Sequence, residues 1–168
     1  MKLYLFKHPC LCLFLAMLMA MLVAFSGSSG TWAADPLPLT VYKDANCGCC
    51  SLWAQHLKSE DFTVELRDSL DMVEVKTRLG IPAQYQSCHT AHSETGGYVF
   101  EGHIPARIIR RFLAEKPAGA RGLAVPGMPI GSPGMEMQDR FQPYQVMLLR
   151  TDGGVELYEQ VTAPEATN

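Results

Sequence analysis

From Leu37 onward, short runs of apolar positions alternate with clusters of glycine, proline, asparagine and aspartate. Leu37 to Lys43 is apolar and β-branched and predicts a strand, which Asp44-Ala45-Asn46 breaks. From Cys50 to Glu60 the apolar positions Leu52, Trp53 and Leu57 fall at helical spacing. Phe62 to Leu66 alternates apolar and polar with period two, the mark of a second strand. Met72, Val73, Val75 and Leu79 return to helical spacing, and Gly80 with Pro82 stops that helix. A hairpin is expected next, with Ser87 to His92 as one arm, Glu94-Thr95-Gly96-Gly97 as the turn and Tyr98 to Glu101 as the other arm. Ile104-Pro105 opens a third helix, which runs through Ile108, Ile109, Phe112 and Leu113 to Lys116-Pro117. Pro117 to Pro143, rich in Gly, Pro and Met, reads as a long ordered loop of the kind that carries function. Gln145 to Leu149 and Val155 to Tyr158 form a last hairpin, and the polar tail over 161–168 is expected to be disordered.

Ahead of this body lies a different pattern. Lys2 and Lys7 precede an unbroken apolar run from Leu11 to Phe25, small residues follow, and Thr31-Trp32-Ala33 offers a small-x-small cleavage site. Residues 1–33 therefore read as a signal peptide. The 15 apolar residues fall short of a spanning helix, which needs about 20, so contact with a membrane is expected only through this segment before cleavage. Cleavage removes Cys10, Cys12 and His8 as well as Lys2 and Lys7. It leaves 12 basic against 17 acidic side chains, a formal charge of −5. A nucleic-acid partner would call for a basic face, and this balance argues against one. Residues 37–160 suffice for one domain with one core.

The predicted order β-α-β-α-β-β-α is that of a thioredoxin-like α/β domain: a central mixed sheet with flanking helices, extended here by the Met/Gly/Pro-rich loop and the C-terminal hairpin. In that order the third strand runs antiparallel to the first and the fourth turns back again. Ser87 and Cys88, at the start of one, and Gly102 and His103, at the end of the other, then return to the edge where the first strand ends.

That edge carries the chemistry. Four cysteines survive processing, and three of them, Cys47, Cys49 and Cys50, lie within four residues. A disulfide framework staples distant segments, and this clustering does not. The pair Cys47 and Cys50 has C-x-x-C spacing at the start of a helix, where free N–H groups and the helix dipole favour the anionic sulfur that attacks disulfides or binds metal. A third thiol, Cys49, is a nuisance to a redox pair and an added soft ligand to a metal. Cys88 would supply a fourth thiolate. His103 returns to the same rim as a second-rank candidate, while His89, next to Cys88, is expected to turn to the opposite face by strand alternation. His56 and His92 read as surface residues. In the loop, Met128 ranks beside His103 and Met135 behind them, and Met137 stands two residues further on. Thiolate and thioether sulfur select copper as Cu(I), with Cu(II) as its partner oxidation state, and zinc ranks behind because its sites usually pair two C-x-x-C hairpins. A thiol–disulfide oxidoreductase acting through Cys47 and Cys50 is the alternative, and either a copper or a thiol oxidoreductase activity would make the protein an enzyme.

Four segments, Asp44 to Cys50, Ser87 to Ala91, Glu101 to Ala106 and Gly122 to Pro129, resemble those of the CopG-type periplasmic proteins linked to copper resistance. The resemblance runs from about Leu39 to Leu149. It implies a thioredoxin-like fold, copper held at the cysteine cluster, periplasmic localisation, and work beside periplasmic copper efflux or chaperone proteins.

Overall fold

The computed structural model describes residues 37–165; the expected signal peptide and the last three tail residues lie outside the described residues. Strand β1 (Leu37–Lys43), helix α1 (Gly48–Ser59) and strand β2 (Phe62–Asp68) form a parallel βαβ unit. Helix α2 (Met72–Arg78) and a 3₁₀ turn (Ala83–Tyr85) lead to the antiparallel hairpin β3 (Thr90–Ser93) and β4 (Val99–Glu101). Helix α3 (Ala106–Glu115) then crosses to β5 (Ala120–Ala124), parallel to β4, and the antiparallel pair β6 (Tyr144–Arg150) and β7 (Val155–Val161) completes the sheet. Among the described residues this is a mixed α/β body of three α-helices and one seven-stranded sheet in the order β2-β1-β3-β4-β5-β6-β7. No helix among the described residues is long and apolar enough to cross a membrane.

The sheet separates two apolar clusters by side-chain alternation. Leu39, Val41, Ala91, Phe100, Leu123 and Leu148 face the larger one with Trp53 and Leu57 of α1 and Ile108, Ile109 and Phe112 of α3. Val99, Ala124 and Leu149 face the smaller one with Ile81.

Three expectations need correction. The segment from Pro117 to Pro143 is not one loop, because β5 occupies its first part. Ala-Arg-Gly-Leu-Ala carries little strand propensity, and tertiary pairing makes it a strand. Gly122 is required there, since a Cβ would overlap the carbonyl of Val99 on β4. The arm expected from Ser87 begins only at Thr90, so Ser87, Cys88 and His89 precede the ladder. The chain expected to be disordered from residue 161 is ordered further: Val161 is buried as the last residue of β7, and Glu165 lies 3.0 Å from the Arg107 guanidinium.

Candidate metal centre

Strand β1 delivers the chain to one end of the sheet, and Asp44 turns it there. The Asp44 carboxylate accepts the Asn46 N–H at 2.8 Å and the Asp44 carbonyl accepts the Cys47 N–H at 3.0 Å. Cys47 is the N-cap of α1 and makes no side-chain cap bond, and no acidic residue stands in the first turn. The opening N–H groups of the helix thus face the cysteines with no side chain of the helix to take them up.

The antiparallel pairing of β3 with β1 brings Cys88 back to this end. The sulfurs of Cys47, Cys49, Cys50 and Cys88 all lie within 4.8 Å of one another. Cys47 and Cys50 are joined as a disulfide, with Cα atoms 5.4 Å apart, while Cys49 and Cys88 are free and half-buried. The Cys49 sulfur sits 3.6 Å from that of Cys47.

A second group shares Cys88. Its sulfur lies 3.1 Å from Nε2 of His103 and 3.2 Å from Nδ1 of His89, and both imidazoles are fully buried. His103 Nδ1 lies 2.8 Å from the carbonyl of Pro133. A carbonyl only accepts, so Nδ1 carries the proton and Nε2 turns its lone pair to Cys88. Burial holds His103 below the usual histidine range. Burial first, then the repulsion between two protonated rings here, His89 and His103, and the charge of Lys76, hold His89 well below it. Both are neutral, the form that ligates. Burial first, and the charge of Cys49 second, push the Cys88 thiol up to about 11, so a metal must displace its proton.

The loop before β6 covers the group from one side. Gly134 lies so close to α1 that a Cβ there would be 2.7 Å from the carbonyl oxygen of Cys49 and from the amide nitrogen of Trp53. Trp53 donates its indole N–H to Ile104 O at 2.9 Å and lays its ring on His89, centroids 4.2 Å apart.

Of the residues singled out from the sequence, the fold brings together Cys47, Cys49, Cys50, Cys88 and His103. Met128 and Met135 belong to the covering loop: Met128 is 53% exposed and follows Gly127, whose carbonyl takes the Ser87 hydroxyl proton, and Met135 is half-buried. Three histidines depart from expectation, among them His92, which was expected at the surface and is half-buried on β3. His89 faces the site instead of the opposite face, because Cys88 and His89 precede β3 and the alternation of a paired strand does not bind them. His56 is half-buried rather than on the surface, and its Nε2 accepts the Ala106 N–H at 3.1 Å at the start of α3. The adjacent Cys-His pair was the available signal for His89, and the misplaced strand boundary hid it.

These donors fit a thiophilic ion. A tetrahedral ion with metal–sulfur bonds of ~2.3 Å sets its sulfurs ~3.8 Å apart, inside the 4.8 Å limit that contains all four, with the bonded Cys47 and Cys50 sulfurs spreading to reach it. His89 turns Nδ1 to Cys88, and its Nε2 has no hydrogen-bond partner among the described residues. The disulfide must first be opened by two electrons for Cys47 and Cys50 to join.

A family described as a protein of unknown function, DUF411, matches residues 85–135, the stretch from before Cys88 to Met135. Two solved structures are similar over most of the chain. One, a copper resistance protein copG in a first form, is 43% identical, with 77% of this chain and 100% of that chain covered and a TM-score of 0.71. The second form of copper resistance protein copG gives 43% identity, 76% and 100% coverage and a TM-score of 0.72. No curated protein sequence matches.

Proposed function

This chain belongs to the CopG family of copper resistance proteins, and from that premise we propose that it is a periplasmic protein that binds Cu(I), several ions at a time, on clustered thiolates. The observation that carries this reading is the approach of four cysteine sulfurs to within 4.8 Å of one another. Cys47, Cys49, Cys50 and Cys88 are the primary ligands, with His89 and His103 as nitrogen donors on the Cys88 side. Three thiolates within four residues favour bridging between soft ions over one closed zinc tetrahedron. Met128 and Met135 offer thioether sulfur at the approach, and Met128, being exposed, is placed to pass copper to or from an efflux or chaperone protein.

The disulfide gives the site a redox face. Two thiolates that close to the Cys47–Cys50 disulfide release two electrons, enough to reduce two Cu(II) to Cu(I). An external dithiol donor restores the pair with two electrons and two protons. The thioredoxin-like reading of the element order belongs with this chemistry.

That same disulfide favours one second reading, thiol–disulfide exchange on other exported proteins. Reduced, anaerobic protein should retain more than one equivalent of Cu(I) after dialysis, by elemental analysis. Cys49→Ser should lower that number and Cys88→Ser should weaken retention. Retention of zinc in preference to copper, or copper unchanged in both variants, overturns the copper reading. Insulin reduction by metal-free protein that survives Cys49→Ser would put the exchange reading first.

A further inference from the structure

Behind the metal centre lies a buried ion pair that contributes no donor to it. Glu101, the last residue of β4, is fully buried, and Lys76 of α2 is nearly so. One Glu101 carboxylate oxygen lies 2.5 Å from Lys76 Nζ and accepts the backbone N–H of Ser87 at 2.6 Å. The other accepts the Thr90 hydroxyl at 2.5 Å, and Lys76 also donates to that hydroxyl oxygen at 3.0 Å. One carboxylate therefore grips the chain on both sides of Cys88-His89. The same segment is held by Gly102 N–H on the His89 carbonyl at 3.0 Å and by the Ser87 hydroxyl on the Gly127 carbonyl.

The grip answers a geometric problem. Successive residues of a paired strand point to opposite faces, yet Cys88 and His89 hold their donor atoms 3.2 Å apart. Their backbone has to leave the ladder, and an unladdered segment keeps one shape only if its polar groups find fixed partners. Burying a carboxylate with an ammonium is a costly way to gain stability, and an apolar pair of similar volume often does as well. We propose that the Glu101 side chain, its charge balanced by Lys76, is the positioning device of the metal site, its oxygens fixing the bend that aims both Cys88 and His89 at one centre. Only the copper arm of the test rests on the function proposed above.

Two charge-free double variants separate positioning from bulk stability. Lys76→Met with Glu101→Gln keeps an acceptor for the Ser87 N–H, and Lys76→Met with Glu101→Leu removes it. Alkylation of Cys88 by iodoacetamide, with the Cys47–Cys50 disulfide intact and read by peptide mass spectrometry, needs no metal. The leucine variant should alkylate about tenfold faster, as expected when a hydrogen bond to a charged group stops opposing local opening. Its Cu(I) affinity should fall by about 10- to 100-fold, the usual effect of losing an outer partner of a metal ligand. The glutamine variant should stay close to the parent in both. In the parent itself, the Ser87 amide, although outside any helix or strand, should exchange with deuterium as slowly as core amides, and this holds the test open should the leucine variant not fold. Fast exchange at Ser87 overturns the proposal. So does a folded leucine variant that matches the parent in alkylation and copper, or equal losses in both variants. If the parent binds no Cu(I) and the alkylation rates still divide as stated, the copper reading fails and the positioning role stands.

Discussion

Replacing Gly134 with alanine tests whether the covering loop rests on the helix that bears the cysteines. Two costs are expected. Gly134 has φ +82°, a left-handed conformation that costs an alanine roughly 1–2 kcal/mol. The added Cβ would also meet the Cys49 carbonyl oxygen and the Trp53 amide nitrogen at 2.7 Å. Both atoms belong to helix backbone and cannot step aside, so the loop has to lift, at an overpacking cost of about 1–3 kcal/mol. Gly127 is the internal control: its φ is +71°, but nothing lies within 4 Å of its Cβ position. Gly127→Ala should therefore lose roughly 1–2 kcal/mol from backbone strain alone, and Gly134→Ala about 2–5 kcal/mol. For a body of this size that is a fall in Tm of roughly 3–5 °C per kcal/mol. Lifting the loop also withdraws the Pro133 carbonyl from His103 Nδ1, so Gly134→Ala alone should weaken Cu(I) binding, by about tenfold or more. Thermal unfolding of the metal-free protein by circular dichroism, with copper affinity by chelator competition, reads both effects. Equal stability losses in the two variants would refute the close approach of loop and helix.

Acid should destabilise the metal-free protein. His89 and His103 are kept neutral by burial, whereas an unfolded chain takes up the histidine proton near pH 6.5. Below that pH the unfolded state binds more protons, so stability falls as pH falls, by up to ~1.4 kcal/mol per pH unit for each histidine still neutral in the fold. Urea midpoints should drop from pH 7 to pH 5 and drop less in His89→Leu; a parent midpoint that ignores pH contradicts the neutral assignment. Gly48 lies inside the cysteine motif at the start of α1, yet its φ is not left-handed and nothing lies within 4 Å of its Cβ position. Gly48→Ala should raise stability by up to about 0.5–1 kcal/mol and leave the copper equivalents unchanged, and a loss of either would show that the glycine serves the site.

The sequence by itself determined the elements whose faces differ sharply in polarity. Strands β1 and β2, helices α1, α2 and α3, and the last hairpin are all legible from apolar spacing and from the residues that stop each run. It also determined the meeting of Cys47, Cys49 and Cys50 with Cys88 and His103, because strand direction follows from element order and direction fixes which ends share an edge. Tertiary structure alone decided the rest. Strand β5 is made of Ala, Arg, Gly and Leu and has no pattern of its own; the open edge of β4, and a Gly122 that lets the Val99 carbonyl approach, turn it into a strand. His89 reaches the centre because the ladder begins at Thr90, and the anchor that sets this boundary, Glu101, is 12 residues further along the chain, with its cation Lys76 on another element. His56 is occupied at the start of α3, 50 residues away, by an amide its own helix cannot foretell. Periodicity records which face of an element is apolar, a local property; the direction of a polar side chain outside the ladder depends on which distant group has come to meet it.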